Sequence, residues 1–233
     1  MIIIFDLFET ILDNVTIDFN VGLLSLWEKY YQDKCSFDEI KAYGEELFEY
    51  MMELHAKGKE FPFVKDELPL YAKKFGGDVV KMDVTEEADF LMRCNRVKVP
   101  EGLAEMLGAY RKKSIPMYVL SNSGFTAGAL LRMLNDNGIG SYFEKVWSSA
   151  DFGRPKPDKG FFKMAVNEAL REHPRNTIAD IMFVGDTYRT DICGAYQAGL
   201  KAVWINRENE TDVNGFAAYQ ICDITELHKL IGS

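Results

Sequence analysis

The chain has 233 residues, 47% of them hydrophobic, which is enough to bury a full domain core and excludes a small disulfide-stapled scaffold. Its 27 Lys and Arg against 36 Asp and Glu give a net charge of −9 with no Lys/Arg-rich run, an electrostatic balance that argues against nucleic acid as a partner. Cys35, Cys94, Cys193 and Cys222 are too widely spaced for a zinc motif, no stretch approaches the ~20 apolar residues of a membrane span, and Met1–Phe5 lacks a basic leader, so a cytoplasmic protein with no membrane contact is expected.

The first apolar run, Ile2–Phe5, predicts a buried strand that ends at Asp6. From about Asn14 to Asn95 strand signals give way to helical spacing: Leu23, Leu26, Trp27 and Tyr30, then Ile40, Tyr43, Leu47, Met51 and Leu54. Ser36 with Glu39 three residues on forms a capping-box start for the second of these helices, and Gly44 inside it costs about 1 kcal/mol relative to Ala. The stretch around Phe48, Tyr50, Met51 and Met52 is expected to be core, and Phe61 to Phe63 to line an entrance. This insertion holds ten Lys/Arg against seventeen Asp/Glu, so it carries most of the negative charge; that is a solvated helix face or a surface that disfavours polyanionic substrates.

Beyond it, Leu103, Met106, Leu107 and Tyr110 predict a helix, Met117–Leu120 a strand, and Leu130, Leu131 and Leu134 a second helix. Val146-Trp147 is a weaker strand, followed by a helix through Phe161, Phe162, Ala165, Val166, Ala169 and Leu170 and by strands at Ile181–Val184 and Ala202–Ile205. Strands alternating with helices predict an α/β fold, a doubly wound parallel-sheet core from residues 1–12 and 97–233 with an inserted helical cap over 13–96. In such sheets a site lies outside the carboxyl ends of the strands, where Asp6, Ser121, Asn122 and Asp186 would converge.

Each of these tips carries chemistry. Asp6 at a strand end suits a nucleophile or metal ligand, although a capping carboxylate would look alike, and Thr10 follows four positions on. Ser121-Asn122-Ser123-Gly124 offers a hydroxyl, an amide and N–H groups suited to an anion. Lys156 lies between Pro155 and Pro157, which stiffen the backbone around an ammonium. Asp186 and Asp191 place two carboxylates five apart after a strand, in keeping with magnesium, which takes few carboxylates plus waters and a phosphate. His55, His173 and His228 read as surface or packing residues, and only His55 could reach the site.

Taken in this order, the four tips resemble the motifs of the haloacid dehalogenase superfamily of hydrolases, most of them phosphatases, with a helical cap inserted after the first motif. The resemblance extends over the whole chain and includes Val99-Pro100-Glu101-Gly102-Leu103 and Ala198-Gly199-Leu200-Lys201-Ala202. It implies that Asp6 attacks the substrate and forms a covalent intermediate. Thr10, Ser121, Asn122 and Lys156 would bind substrate, and Asp191 would support the catalytic pair Asp6 and Lys156. Magnesium would be held by Asp6, Asp186 and the main-chain carbonyl of Phe8. The implied substrate is a small phosphorylated metabolite.

The resemblance also isolates a departure. Phosphatases of this superfamily carry a second aspartate two positions after the nucleophile, where this chain has Phe8, and Glu9 replaces the usual glycine. A missing general acid costs about 10²–10⁴ in rate and most for poor leaving groups, so a preference for acyl or aryl phosphates is expected unless Glu9 or a cap residue substitutes. An aromatic residue at this position also resembles 2-haloacid dehalogenases. Against that stand Asp186 and the absence of any arginine before Arg93, where those enzymes place a halide-binding arginine. The other rival is a non-catalytic module that keeps only the phosphate pocket.

Overall fold

The computed structural model describes residues 1–231. Six parallel strands form its main sheet: β1 (Ile2–Phe5), β4 (Met117–Ser121), β5 (Lys145–Ser148), β6 (Ile181–Gly185), β7 (Lys201–Ile205) and β8 (Tyr219–Ile221), in the order β5-β4-β1-β6-β7-β8. The four strong apolar runs and the weaker Val146-Trp147 are all strands, most extended by a residue. β1 is fully buried because helices cover both faces of the sheet: Ile3 and Phe5 join one apolar cluster, Ile2 and Ile4 the other. The chain builds outward from β1 to β4 and β5, crosses back, and builds the other way through β6, β7 and β8. The direction therefore reverses between β1 and β6, and the crevice at their carboxyl ends is the expected ligand position.

The helices of the core pack as their spacing requires. In α5 (Leu103–Lys112) the residues Leu103, Met106, Leu107 and Tyr110 are buried, as are Leu130 and Leu134 of α6 (Ala127–Asp136). Leu131 is the exception: it is exposed, because it lies one residue around the helix from the Leu130–Leu134 stripe. After α7 (Ser149–Phe152), α8 (Lys159–Glu172) buries Phe161, Phe162, Ala165, Val166 and Ala169 against the second cluster. Short helices α9 (Cys193–Gln197) and α10 (Leu227–Leu230) complete the core.

Between β1 and α5 lies the helical insertion: α1 (Phe19–Tyr30), α2 (Phe37–Ala56), α3 (Leu68–Phe75) and α4 (Val84–Cys94). Ser36 and Glu39 form the predicted capping box, and α2 runs unbroken through Gly44. The expected loss of strand signal across the whole insertion is corrected at its ends. There β2 (Asp13–Ile17) and β3 (Asn95–Lys98) pair antiparallel as a stem. Val15 and Ile17 are exposed, so no buried face marks this ribbon in the sequence, and its pairing joins residues about eighty apart. A second correction concerns Phe48, Tyr50 and Met52, expected as core and found exposed. α2 buries Ile40 and Leu47 and turns these three away from that face. The four cysteines are free, and among the described residues no helix is long and apolar enough to cross a membrane.

Candidate active site

Sheet register sets the first distances. Phe5 pairs with Val119 on one side and Val184 on the other, and the Asp6 N–H donates to the Val184 carbonyl at 2.8 Å. Asp6, Ser121 and Asp186 therefore emerge at adjacent strand ends. Lys156 arrives from the loop after α7, and its ammonium lies 2.5 Å from Asp6 Oδ1 and 2.7 Å from Asp191 Oδ1. Lys156 is 3% exposed and Asp191 1%, so these pairs are sheltered from water and salt. Asp191 Oδ2 also accepts the Thr187 N–H at 3.1 Å. A side chain at Gly185 would put its Cβ 2.6 Å from Asp191 Oδ2, so glycine there is what lets Asp191 lie against the end of β6.

Asn122, predicted to bind substrate, uses both ends of its amide on Lys156: Oδ1 accepts the Lys156 N–H at 2.6 Å, and Nδ2 donates to the Lys156 carbonyl at 3.1 Å. In this arrangement it positions the ammonium. Ser121 is buried, and among the described residues its hydroxyl makes only a long contact, 3.4 Å, to the Asn122 carbonyl. Thr10 is fully buried and its hydroxyl oxygen has no hydrogen-bond partner among the described residues.

The electrostatics are unbalanced. Ligand oxygens of Asp6, Asp186 and Asp191 lie within 4.8 Å of one another, around a single ammonium. Burial lifts Asp6 to about 7, with Lys156 acting in the opposite sense and Asp191 reinforcing the rise. Asp186 rises to about 6, through burial and then the charge of Asp191. Burial alone would push Lys156 down, but Asp191 and Asp6 more than reverse it, so it holds its proton. Asp191 spends both oxygens on Lys156 and Thr187, and the hard oxygen donors of Asp6 and Asp186, with surplus negative charge around them, fit a magnesium ion that would remove that surplus.

At the departure from the superfamily pattern, Phe8 is half-buried and packs against the core. Glu9 keeps the left-handed backbone that glycine would adopt, with φ 56°, and its Oε1 accepts from Asn14 N and Nδ2 at 3.0 and 2.7 Å. Its carboxylate is thus held by the start of the stem.

Two features carry no signal in the sequence. Arg207 donates to the Glu9 carbonyl at 2.7 Å and pairs with Asp13 at 3.5 Å, bracing the turn after β1. Glu60 is buried, accepts from His55 Nε2 at 2.6 Å and Phe61 N–H at 3.0 Å, and bonds the Ser149 hydroxyl. Glu60 N–H donates to the Gly153 carbonyl at 3.1 Å and Phe63 N–H to the Gly124 carbonyl at 2.8 Å, so this segment is tied to the loops bearing Lys156 and Ser121. Phe61 and Phe63 are buried in that junction. His55 is engaged with Glu60. His173 pairs with Glu144 at 2.7 Å, and His228 contacts the Thr225 carbonyl, so neither belongs to the Asp6 cluster. No local signal marks Glu60, whose Lys57-Gly58-Lys59 approach reads as a surface loop.

The chain is 30% identical over 131 residues to pyrimidine 5'-nucleotidase YjjG of Escherichia coli, a match covering 56% of this chain and 55% of that protein. The chain spans about half the length of the curated relatives it matches. Among solved structures, it superposes on a HAD phosphatase from Thermococcus onnurineus with a TM-score of 0.63 at 22% identity, covering 99% of this chain and 97% of that one. It superposes on a 2-haloacid dehalogenase from Pseudomonas syringae pv. Tomato DC3000 with a TM-score of 0.68 at 21% identity, covering 99% and 98%. These two similarities concern the fold. The haloacid dehalogenase-like hydrolase family matches residues 3–205, nearly the whole chain, and the protein belongs to that family of hydrolases.

Proposed function

We propose that the protein is a magnesium-dependent phosphatase that hydrolyses a small phosphorylated metabolite through an aspartyl-phosphate on Asp6. The observation that carries this reading is the Lys156 ammonium held between Asp6 at 2.5 Å and Asp191 at 2.7 Å, with Asp186 completing the carboxylate cluster. Lys156 occupies Asp6 Oδ1, which leaves Oδ2 to attack phosphorus. As the Oδ2–P bond forms, the bond from phosphorus to the leaving oxygen breaks, and Lys156 offsets charge on the transferring oxygens. Magnesium, held by Asp6, Asp186 and the Phe8 carbonyl, would supply the remaining positive charge. The Thr10 hydroxyl, without a partner among the described residues, and the Ser121 hydroxyl, whose contact to the Asn122 carbonyl is long, would donate to phosphoryl oxygens. Water then releases phosphate and restores the Asp6 carboxylate.

No acid stands where Phe8 is, and Glu9 is engaged with Asn14, so the leaving oxygen takes its proton from water. Leaving groups stable as anions are then favoured. The test is hydrolysis of an aryl phosphate beside a sugar phosphate, with and without magnesium. Metal-dependent, aryl-selective turnover lost by roughly 10⁴-fold or more in Asp6→Asn is expected. Phe8→Asp should raise sugar-phosphate turnover by about 10²-fold. Halide release from 2-haloacids without metal would replace this reading with a dehalogenase, and magnesium-dependent stabilisation with no turnover would replace it with a binding module.

A further inference from the structure

Helices α1 and α2 and the start of α3 meet around a cavity of about 410 Å³ that none of Asp6, Lys156, Asp186 and Asp191 lines. Its apolar walls are Phe19 and Leu23 of α1 and Phe48 and Met51 of α2. Gly44 lies in the wall between them. A Cβ there would stand 2.6 Å from a Leu23 methyl and 3.2 Å from the Tyr71 hydroxyl, so only glycine lets the two helices approach this closely. Among these walls is Glu67, 8% exposed. Its Oε1 accepts the Tyr71 hydroxyl at 3.2 Å. Among the described residues no Lys, Arg or His forms an ion pair with it. Burial pushes its carboxyl up to about 7.

A buried carboxylate with one hydroxyl for company is costly, and the deficit is relieved by a donor that brings positive charge. The other charged lining groups, Lys41, Glu45 and Glu49, leave the cavity net negative, which turns away anions. The volume suits a small organic molecule, and apolar walls with one convergent polar group suit an apolar body with a single polar head. We propose that this cavity binds an organic ammonium, with an aromatic or aliphatic body against Phe19, Leu23, Phe48 and Met51 and a primary amine donating to Glu67. The proposal stands apart from hydrolysis at Asp6, because binding is read directly.

The test is calorimetric titration of the full chain with three probes that share a body and differ in the head: 2-phenylethylamine, 2-phenylethanol and 3-phenylpropionate. At about pH 8, where Glu67 is ionised, the amine should bind roughly tenfold or more tighter than the alcohol and the acid should not bind, as a charge-assisted bond requires. Glu67→Gln should abolish the amine preference and keep the weak alcohol binding, which also shows that the variant is folded. Phe48→Ala should weaken amine and alcohol alike. Equal binding of all three probes, no binding of the amine, or an amine preference that survives Glu67→Gln overturns the proposal. Competition between bound amine and aryl-phosphate turnover would assign the ammonium to the substrate itself. Binding without effect on KM would assign it to a separate ligand.

Discussion

Asp6 at the end of β1 and Glu67 at the start of α3 are each 8% exposed, and the core and the insertion answer that burial in different ways. In the core, Asp6 faces an ammonium at 2.5 Å, which Asp191 shares and Asn122 holds in place through its backbone. In the insertion, Glu67 faces a tyrosine hydroxyl and a cavity. The same physics applies to both, since a carboxylate out of water must find a counter-charge or take a proton. The difference is where the counter-charge comes from. For Asp6 the chain itself supplies the cation, from a neighbouring loop. For Glu67 no cation among the described residues fills that place.

The largest effect is expected at Lys156. Lys156→Ala leaves Asp6 and Asp191 buried without a cation, and a loss of about 3–5 kcal/mol is expected in denaturant titration near neutral pH. The next test concerns Glu67. Its folded value of about 7 exceeds the ordinary carboxylate value of 4.5, so the folded state holds the proton more tightly and stability falls as pH rises through that interval. The fall is on the order of 3 kcal/mol, levels off above it, and should be missing in Glu67→Gln. Asp6 and Asp186 contribute slopes of the same sign, so the quantity to compare is the difference in slope between the variant and the parent chain.

A third substitution tests how the two regions are joined. Glu60→Ala strips the partners from His55 and Ser149 and should cost about 1–3 kcal/mol in thermal or denaturant unfolding. A simultaneous fall in aryl-phosphate turnover would show that the junction also keeps the Lys156 and Ser121 loops in place. The smallest effect is expected at the exposed pair Lys29–Glu86, at 2.8 Å but 58% and 39% exposed, where Lys29→Ala should leave the denaturant midpoint unchanged.

Much of the core was legible because its signals are local. Ile2–Phe5, Met117–Leu120, Ile181–Val184 and Ala202–Ile205 are continuous apolar runs, and strands buried on both faces need little else to declare themselves. The stem ribbon and β8 were not legible, since Asp13–Ile17 and Asn95–Lys98 are stabilised by backbone pairing across the whole insertion and β8 is a three-residue edge strand. Within the site, the residue types at the strand tips pointed to a carboxylate nucleophile, an ammonium and metal-type acids. They did not reveal that Asn122 spends its amide on Lys156, or that Glu9 turns to Asn14.

By itself, the sequence determined the alternation of strand and helix, the inserted helices with their capping box, and the set of charged groups at the strand ends, because period, burial and turn chemistry act over a few residues. The expected convergence of those groups became distances and partners only in the tertiary structure. The order β4-β1-β6 brings Asp6, Ser121 and Asp186 side by side from positions up to 180 residues apart. The packing of α1 on α2 at Gly44 leaves a cavity beside Glu67. Glu60, in a loop with no pattern of its own, becomes the tie between insertion and core. Distances between such residues are set by the closing of the whole chain around its core, and no window of neighbouring residues contains them.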